Sequence, residues 1–206
     1  MLKQLSIAVL AATVATAASA NGFTFKVGAG YLDPTADKDL PNANLTKAEV
    51  SGEAAILPSI DYRFGSSPFS AELLLATPFE HDVTATNAAD EKVQVANFKQ
   101  LPPTLTFKYN TPELLPGLTA NVGVGATVLI PYEENFLMGS EKLKADTAVA
   151  PAAQIGVNYS LPSQPWGVFA DVRYADLSTD LKLDGEKIGK LEVNPVVYSI
   201  GVSHKF

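Results

Sequence analysis

Cysteine is absent from these 206 residues, so no disulfide can hold the chain together. Its fold must rest on packing or on a closed, hydrogen-bonded sheet. The charge leans one way, with 15 Lys and Arg against 22 Asp and Glu, a formal −7 at pH 7. That balance argues against nucleic acid as a partner. Beyond the first 20 residues no apolar run approaches the ~20 residues that a membrane helix needs. If this chain crosses a bilayer, it crosses as strands. Histidine is scarce as well, with His81 and His204 alone, which leaves little material for a catalytic base.

What is present concentrates at the two ends. Residues 1–20, MLKQLSIAVLAATVATAASA, combine Lys3, an apolar stretch from Leu5 to Ala17 and the small-residue triplet Ala18-Ser19-Ala20. This is the pattern of a cleaved secretory signal, which makes Asn21–Phe206 the expected mature chain and a single domain. At the other end Val196, Tyr198, Ile200, Val202 and Phe206 fall on one face of a strand. Val197, Ser199, Gly201, Ser203 and Lys205 fall on the other. Such period-two alternation makes one apolar and one small or polar face. A strand that runs to the last residue must be held in a sheet, and Phe206 is the expected signal to an outer-membrane assembly machinery.

Eight segments share this alternation, at 23–33, 53–64, 68–80, 97–109, 118–131, 147–160, 167–181 and 190–206. Tight turns rich in Pro, Gly and Ser (65–68, 110–117, 161–165) alternate with mostly longer, charged loops (34–52, 81–96, 132–146, 182–189). Short turns on one side and long loops on the other predict an all-β, eight-stranded antiparallel transmembrane barrel of the Gram-negative outer membrane. An even strand number puts both termini on the periplasmic side. Aromatics at Tyr62, Phe64, Phe69, Phe107, Tyr109, Tyr159, Trp166 and Phe206 gather near the short turns, as in an interfacial girdle. A soluble sandwich would instead turn its polar faces outward.

On the same register the interior receives Lys26, Asp61, Arg63, Glu72, Lys108, Asp171, Arg173 and Lys205, with Asn121, Gln154 and Asn158. An eight-stranded barrel is wide enough for side chains or one small ligand. These charges are expected to pair, because unpaired buried charge is prohibitive. They read as a closed periplasmic plug or, more plainly, as ordinary filling of a narrow barrel. Pro58, Pro78, Pro102, Pro103, Pro131, Pro151 and Pro195 give most strands a residue that cannot donate to a ladder. They read as a lateral opening in the wall or as bulges at its rim.

Four segments resemble a known family. LLLATPFEHD (Leu73–Asp82) and LPPTLTFKY (Leu101–Tyr109) are similar to the third and fourth strands of the OmpW/AlkL family. VGAGYLDP (Val27–Pro34) resembles its opening strand and NPVVYSIGVSHKF (Asn194–Phe206) its closing one. His204 departs from the aromatic residue that many outer-membrane proteins carry there. The resemblance implies an eight-stranded barrel with a narrow apolar upper lumen that takes up small hydrophobic molecules, alkanes among them. Residues available to line that lumen are Leu32, Leu74, Leu101, Leu129, Leu137 and Met138. The expected function is passive uptake with release sideways into the bilayer, without a cofactor. The expected partners are membrane lipid, lipopolysaccharide and the hydrophobic solute.

Two rivals stand beside this reading. An enzyme needs a positioned nucleophile and base. His81, between Glu80 and Asp82, reads as a solvated rim residue, and His204 as facing lipid or the interface. Neither makes a catalytic or metal-binding set. The other rival is a structural, receptor or adhesion barrel with no passage through the lumen. The state of the upper lumen discriminates: packed solid for such a barrel, open and apolar for a channel.

Overall fold

A computed structural model describes residues 22–35, 38–42, 45–87, 90–139 and 142–206, so the expected signal segment lies outside the described residues. In chain order the strands are β1 Phe23–Pro34, β2 Lys38–Asn42, β3 Leu45–Val50, β4 Glu53–Arg63 and β5 Phe69–Leu74. There follow β6 Phe79–Asn87, β7 Lys92–Leu101, β8 Thr104–Asn110, β9 Leu118–Phe136 and β10 Leu143–Ala145. The last are β11 Ala148–Ser160, β12 Trp166–Ala175, β13 Ser178–Leu183, β14 Glu186–Glu192 and β15 Pro195–Lys205.

Eight of these close a ring in the order β1, β4, β5, β8, β9, β11, β12, β15 and back to β1, each pair antiparallel. A closed ring leaves no edge strand and satisfies the backbone internally, which a hydrocarbon environment demands. Side chains follow the pleat. On β8, Leu105, Phe107 and Tyr109 are exposed outward, while Thr104, Thr106, Lys108 and Asn110 are buried within. Outward aromatics pair around the turn end: Phe69 stacks on Phe107 at 5.4 Å, and His204 lies 4.6 Å from both Trp166 and Phe206. Such pairs contribute about 0.5–1.5 kcal/mol each beyond their burial.

The closing seam between β1 and β15 sets Gly28 opposite Gly201. A Cβ on Gly201 would sit 2.2 Å from the Val27 carbonyl oxygen and 2.4 Å from the Gly28 Cα, both backbone atoms that cannot give way. Only glycine lets these strands approach. The Phe206 N–H then donates to the Phe23 carbonyl at 3.0 Å, so the last residue is tied to the first strand.

Most of the stretches expected as long loops are strands instead. β2, β3, β6, β7 and the upper part of β9 form one sheet beyond the ring, and β10, β13 and β14 form a second. Their outward residues are charged, as at Glu80, Asp82 and Lys99, so composition alone makes them look like loops. The two sheets meet over the lumen, where Phe98, Leu191 and Val193 pack with Val50, Val83 and Leu181. Among the described residues, every register shift falls in the ladders of these sheets and none in the eight ladders of the ring.

Candidate functional site

Near the turn end the lumen holds a charge-balanced cluster. Glu72 on β5 is 0% exposed and is its hub. Glu72 Oε2 accepts from Lys26 Nζ at 3.2 Å and from Lys108 Nζ, while Oε1 accepts from Arg173 at 2.8 Å and from the Ser59 hydroxyl at 2.7 Å. Lys108 also bonds Asp61, and Arg173 reaches Asp171, whose other partner is the Ser199 hydroxyl at 2.6 Å. Gln154 joins them by accepting from Thr106 at 2.6 Å. Three cations thus face three carboxylates.

Two members of the sequence-derived set stand outside. Arg63 lies at the turn rim, where its Nε donates to the Ser67 carbonyl at 3.0 Å, and Lys205 is exposed at the end of β15. Both sit where the barrel meets solvent, so their heads need no buried partner. Removing two cations from the expected set is what leaves the cluster neutral. Ser59, Thr106 and Ser199 belong to it and were not singled out, although their parity on the strands matches Glu72, Lys108 and Asp171.

Above the cluster the lumen turns apolar and narrow. Leu32, Leu57, Leu74, Ala76 and Phe79 form one buried group, and Leu129, Ala150, Ala152, Ala175 and Leu177 a second. Members of both groups border a cavity of about 40 Å³ that Gln100, Pro102, Thr104, Thr127 and Arg173 also line. That is room for roughly one water molecule. Of the expected lumen residues, Leu32, Leu74 and Leu129 are buried here. Leu101 is half-buried, and Leu137 and Met138 are exposed at the far end of β9, outside the cavity. Both belong to the stretch expected as a loop, and beyond Phe136 there is no strand to turn those side chains inward.

The cavity lies against an interrupted seam. The β5–β8 ladder ends at Leu74 opposite Thr104, and pairing resumes between β6 and β7 at Phe79 opposite Gln100. In between, Leu75–Pro78 runs beside Leu101–Pro103 with no ladder bond among the described residues. Leu75 and Thr77 donate instead to the carbonyls of Pro58 and Ile56, at 2.8 and 2.9 Å. Pro102 and Pro103 cannot supply the missing donors. The β11–β12 ladder likewise stops at Ala152 opposite Ala175, one residue beyond Pro151. Pro131 sits on β9 opposite Gln100, and Pro195 faces Pro34 where β15 begins. Most of the prolines therefore gather where ring ladders give way to the outer sheets, whereas Pro58 sits within the unbroken β1–β4 ladder opposite Val27.

His81 departs from its expected place on a solvated rim. It is 0% exposed and points into the lumen between the rings of Phe79 and Phe98, with centroids 6.2 and 5.3 Å away. Glu80 and Asp82 beside it point outward to solvent, so this level lies above the apolar band of the wall. The alternation of strand β6 separates these neighbours, and that alternation was the available signal. Burial lowers the His81 pKa below its ordinary value, against the opposing pull of the Ser51 carbonyl and of the Glu53 and Asp82 carboxylates.

The model of the OmpW family matches residues 5–206. This chain belongs to the OmpW family. The crystal structure of the outer membrane protein OprG from Pseudomonas aeruginosa superposes with a TM-score of 0.75 at 25% identity, covering 90% of this chain and 96% of that one. Outer membrane protein W of Vibrio cholerae serotype O1 is 26% identical over 193 residues, 89% of this chain and 88% of its own. Outer membrane protein AlkL of Ectopseudomonas oleovorans is 26% identical over 171 residues, 81% of this chain and 71% of its own. The ring described above is accordingly that of an OmpW-family outer-membrane β-barrel of a Gram-negative type.

Proposed function

We propose that this OmpW-family barrel passes small hydrophobic molecules passively from the cell exterior into the outer-membrane bilayer. The observation that carries the reading is the apolar cavity lying directly behind the interrupted seam at Leu75–Pro78 and Leu101–Pro103. A hydrophobic solute is hindered by the polar lipopolysaccharide layer rather than by hydrocarbon. A barrel need only carry it past that layer and release it sideways. The loop end faces outward in this reading, and the turn end with both termini faces the periplasm. The neutral, hydrogen-bonded cluster around Glu72 stops solute and ions from continuing downward. Phe206 serves the assembly machinery.

The solute does not fit the resting lumen. Ligand sites for small molecules usually run to about 300–1,000 Å³, so Leu74, Phe79 and Leu177 must swing aside as it passes. This tight packing favours a second reading, a structural or receptor barrel with no transport. Uptake of a short alkane or monoterpene by a porin-poor Gram-negative host separates the two. Cells with the wild-type protein should take up the probe faster than cells with empty vector. A folded variant with Pro58, Pro78 and Pro103 replaced by Val should lose the gain. Wild-type protein that is folded in the membrane yet gives no gain hands the case to the second reading.

A further inference from the structure

Gln100, which lines the cavity, carries a buried hydrogen-bond acceptor with no partner among the described residues, and its chemistry follows from His81. The Ser51 carbonyl lies 2.7 Å from His81 Nδ1. A carbonyl can only accept, so Nδ1 holds the ring proton and Nε2 of the neutral imidazole is an acceptor. Nε2 lies 2.7 Å from the Gln100 side-chain nitrogen, which donates to it. The reverse amide orientation would set two acceptors face to face, so the ring decides which way Gln100 points. Gln100 Oε1 is therefore the group left over. It is buried and has no hydrogen-bond partner among the described residues.

Nearby donors are already committed. The Thr104 hydroxyl bonds to Thr127 Oγ1 at 2.8 Å, and the Thr127 hydroxyl lies 3.4 Å from the Pro103 carbonyl. Pro102, the other neighbour at the break, has no N–H. Gln100 itself is 1% exposed and lines the cavity beside Leu74, Phe79 and Pro102. An unsatisfied buried acceptor is costly, and native structures keep few of them.

We infer that Gln100 Oε1 is a recognition point for a small, neutral, mostly apolar molecule bearing one hydroxyl donor, of the alcohol or phenol class. The inference rests on the uptake reading for how such a molecule reaches the cavity. A hydrocarbon of the same size leaves Oε1 unsatisfied. A ketone or ether presents a second acceptor to it. An ammonium would strand its charge among leucines. A site that hydrogen-bonds a hydroxyl discriminates against analogues without one far better than an apolar pocket discriminates by size. The acceptor stands at the interrupted seam, so the donor-bearing end of the solute is held there while its apolar body faces the wall.

The test uses the protein folded in lipid nanodiscs, with cyclohexanol, cyclohexanone and methylcyclohexane as size-matched probes. Titrations follow the NMR signals of the Gln100 side-chain amide and the His81 ring nitrogens. Cyclohexanol should shift both and bind about tenfold tighter than the other two, the advantage expected of one satisfied buried acceptor. Gln100→Met should remove the advantage while leaving methylcyclohexane unchanged. Should that variant fail to fold, the alcohol-against-ketone comparison in the wild-type protein decides alone. Equal shifts and equal affinity for the three probes overturn the inference. Uptake of the same probes by cells, run in parallel, tests the transport reading separately. Methylcyclohexane entering without any alcohol preference in the titration sinks the acceptor site and spares the channel. An alcohol preference in the titration with no uptake of any probe does the reverse.

Discussion

Replacing Glu72 by Gln keeps the side chain's volume and removes one charge from the centre of the polar cluster. Lys26, Lys108 and Arg173 each touch that carboxylate, and the fully buried position offers them no solvent in exchange. With separations near 3 Å and an effective dielectric of about 20, each lost pair is worth about 5 kcal/mol before relaxation. The cations can lean toward Asp61 and Asp171, so most of this is recovered. The net loss should be about 3–5 kcal/mol, the range found when one partner of a buried pair is removed. With a urea slope of about 1–3 kcal/mol per molar, the unfolding midpoint should fall by roughly 2 M. Trp166, the sole tryptophan, sits in the outward aromatic girdle and reports unfolding from lipid vesicles by its fluorescence. A second variant, Glu72→Gln with Lys26→Met, restores neutrality and keeps most of the stem volume, so it should recover more than half of the loss. A midpoint for Glu72→Gln within the error of wild type would refute the reasoning. So would a double variant no better than the single one, because charge balance would then not be what stabilises the lumen.

Gly201→Val should prevent closure of the β1–β15 seam, since its Cβ would overlap the Val27 carbonyl and Gly28 backbone; refolding yield into lipid vesicles should collapse, whereas Gly65→Asn, in a turn with open space and a φ of +59° that Asn tolerates, should refold at near wild-type yield. Because burial holds the His81 pKa low, the unfolded chain takes up a proton first as pH falls through the ordinary value near 6.5. Stability should therefore decline as pH drops through that value and level off once the folded ring also protonates. The decline should be missing from His81→Leu in urea unfolding at stepped pH, with Glu53 and Asp82 left intact. Protonation also turns Nε2 into a donor, so the Gln100 amide should rotate and present its N–H to the cavity. In acid the nanodisc titration should then favour cyclohexanone over cyclohexanol.

Much of the ring was legible because a narrow barrel imposes a strict alternation: Leu105, Phe107 and Tyr109 outside, Thr106 and Lys108 inside, with no freedom to do otherwise. Six of the eight charged residues assigned to the lumen meet there for the same reason. Arg63 and Lys205 shared the parity but not the depth, and parity carries no information about height along a strand. The outer sheets were misread as loops because, above the hydrocarbon, outward positions become charged and composition ceases to distinguish strand from loop. His81 was lost in the same way, judged by Glu80 and Asp82 rather than by the face it shares with Phe79. Gln100 was invisible for a different reason: its role depends on a leftover acceptor, which exists only once Ser51, His81 and the seam have been brought together.

The register shifts confined to the outer sheets make the molecule unevenly forgiving along its length. A residue inserted above the prolines can be absorbed by one more bulge before its effect reaches the bilayer. The same insertion below them would exchange the inner and outer faces of an entire stave, turning Glu72 or Lys108 toward lipid and an aromatic into the lumen. The half beyond the prolines can therefore drift in length and surface, while the half embedded in the membrane keeps count for both.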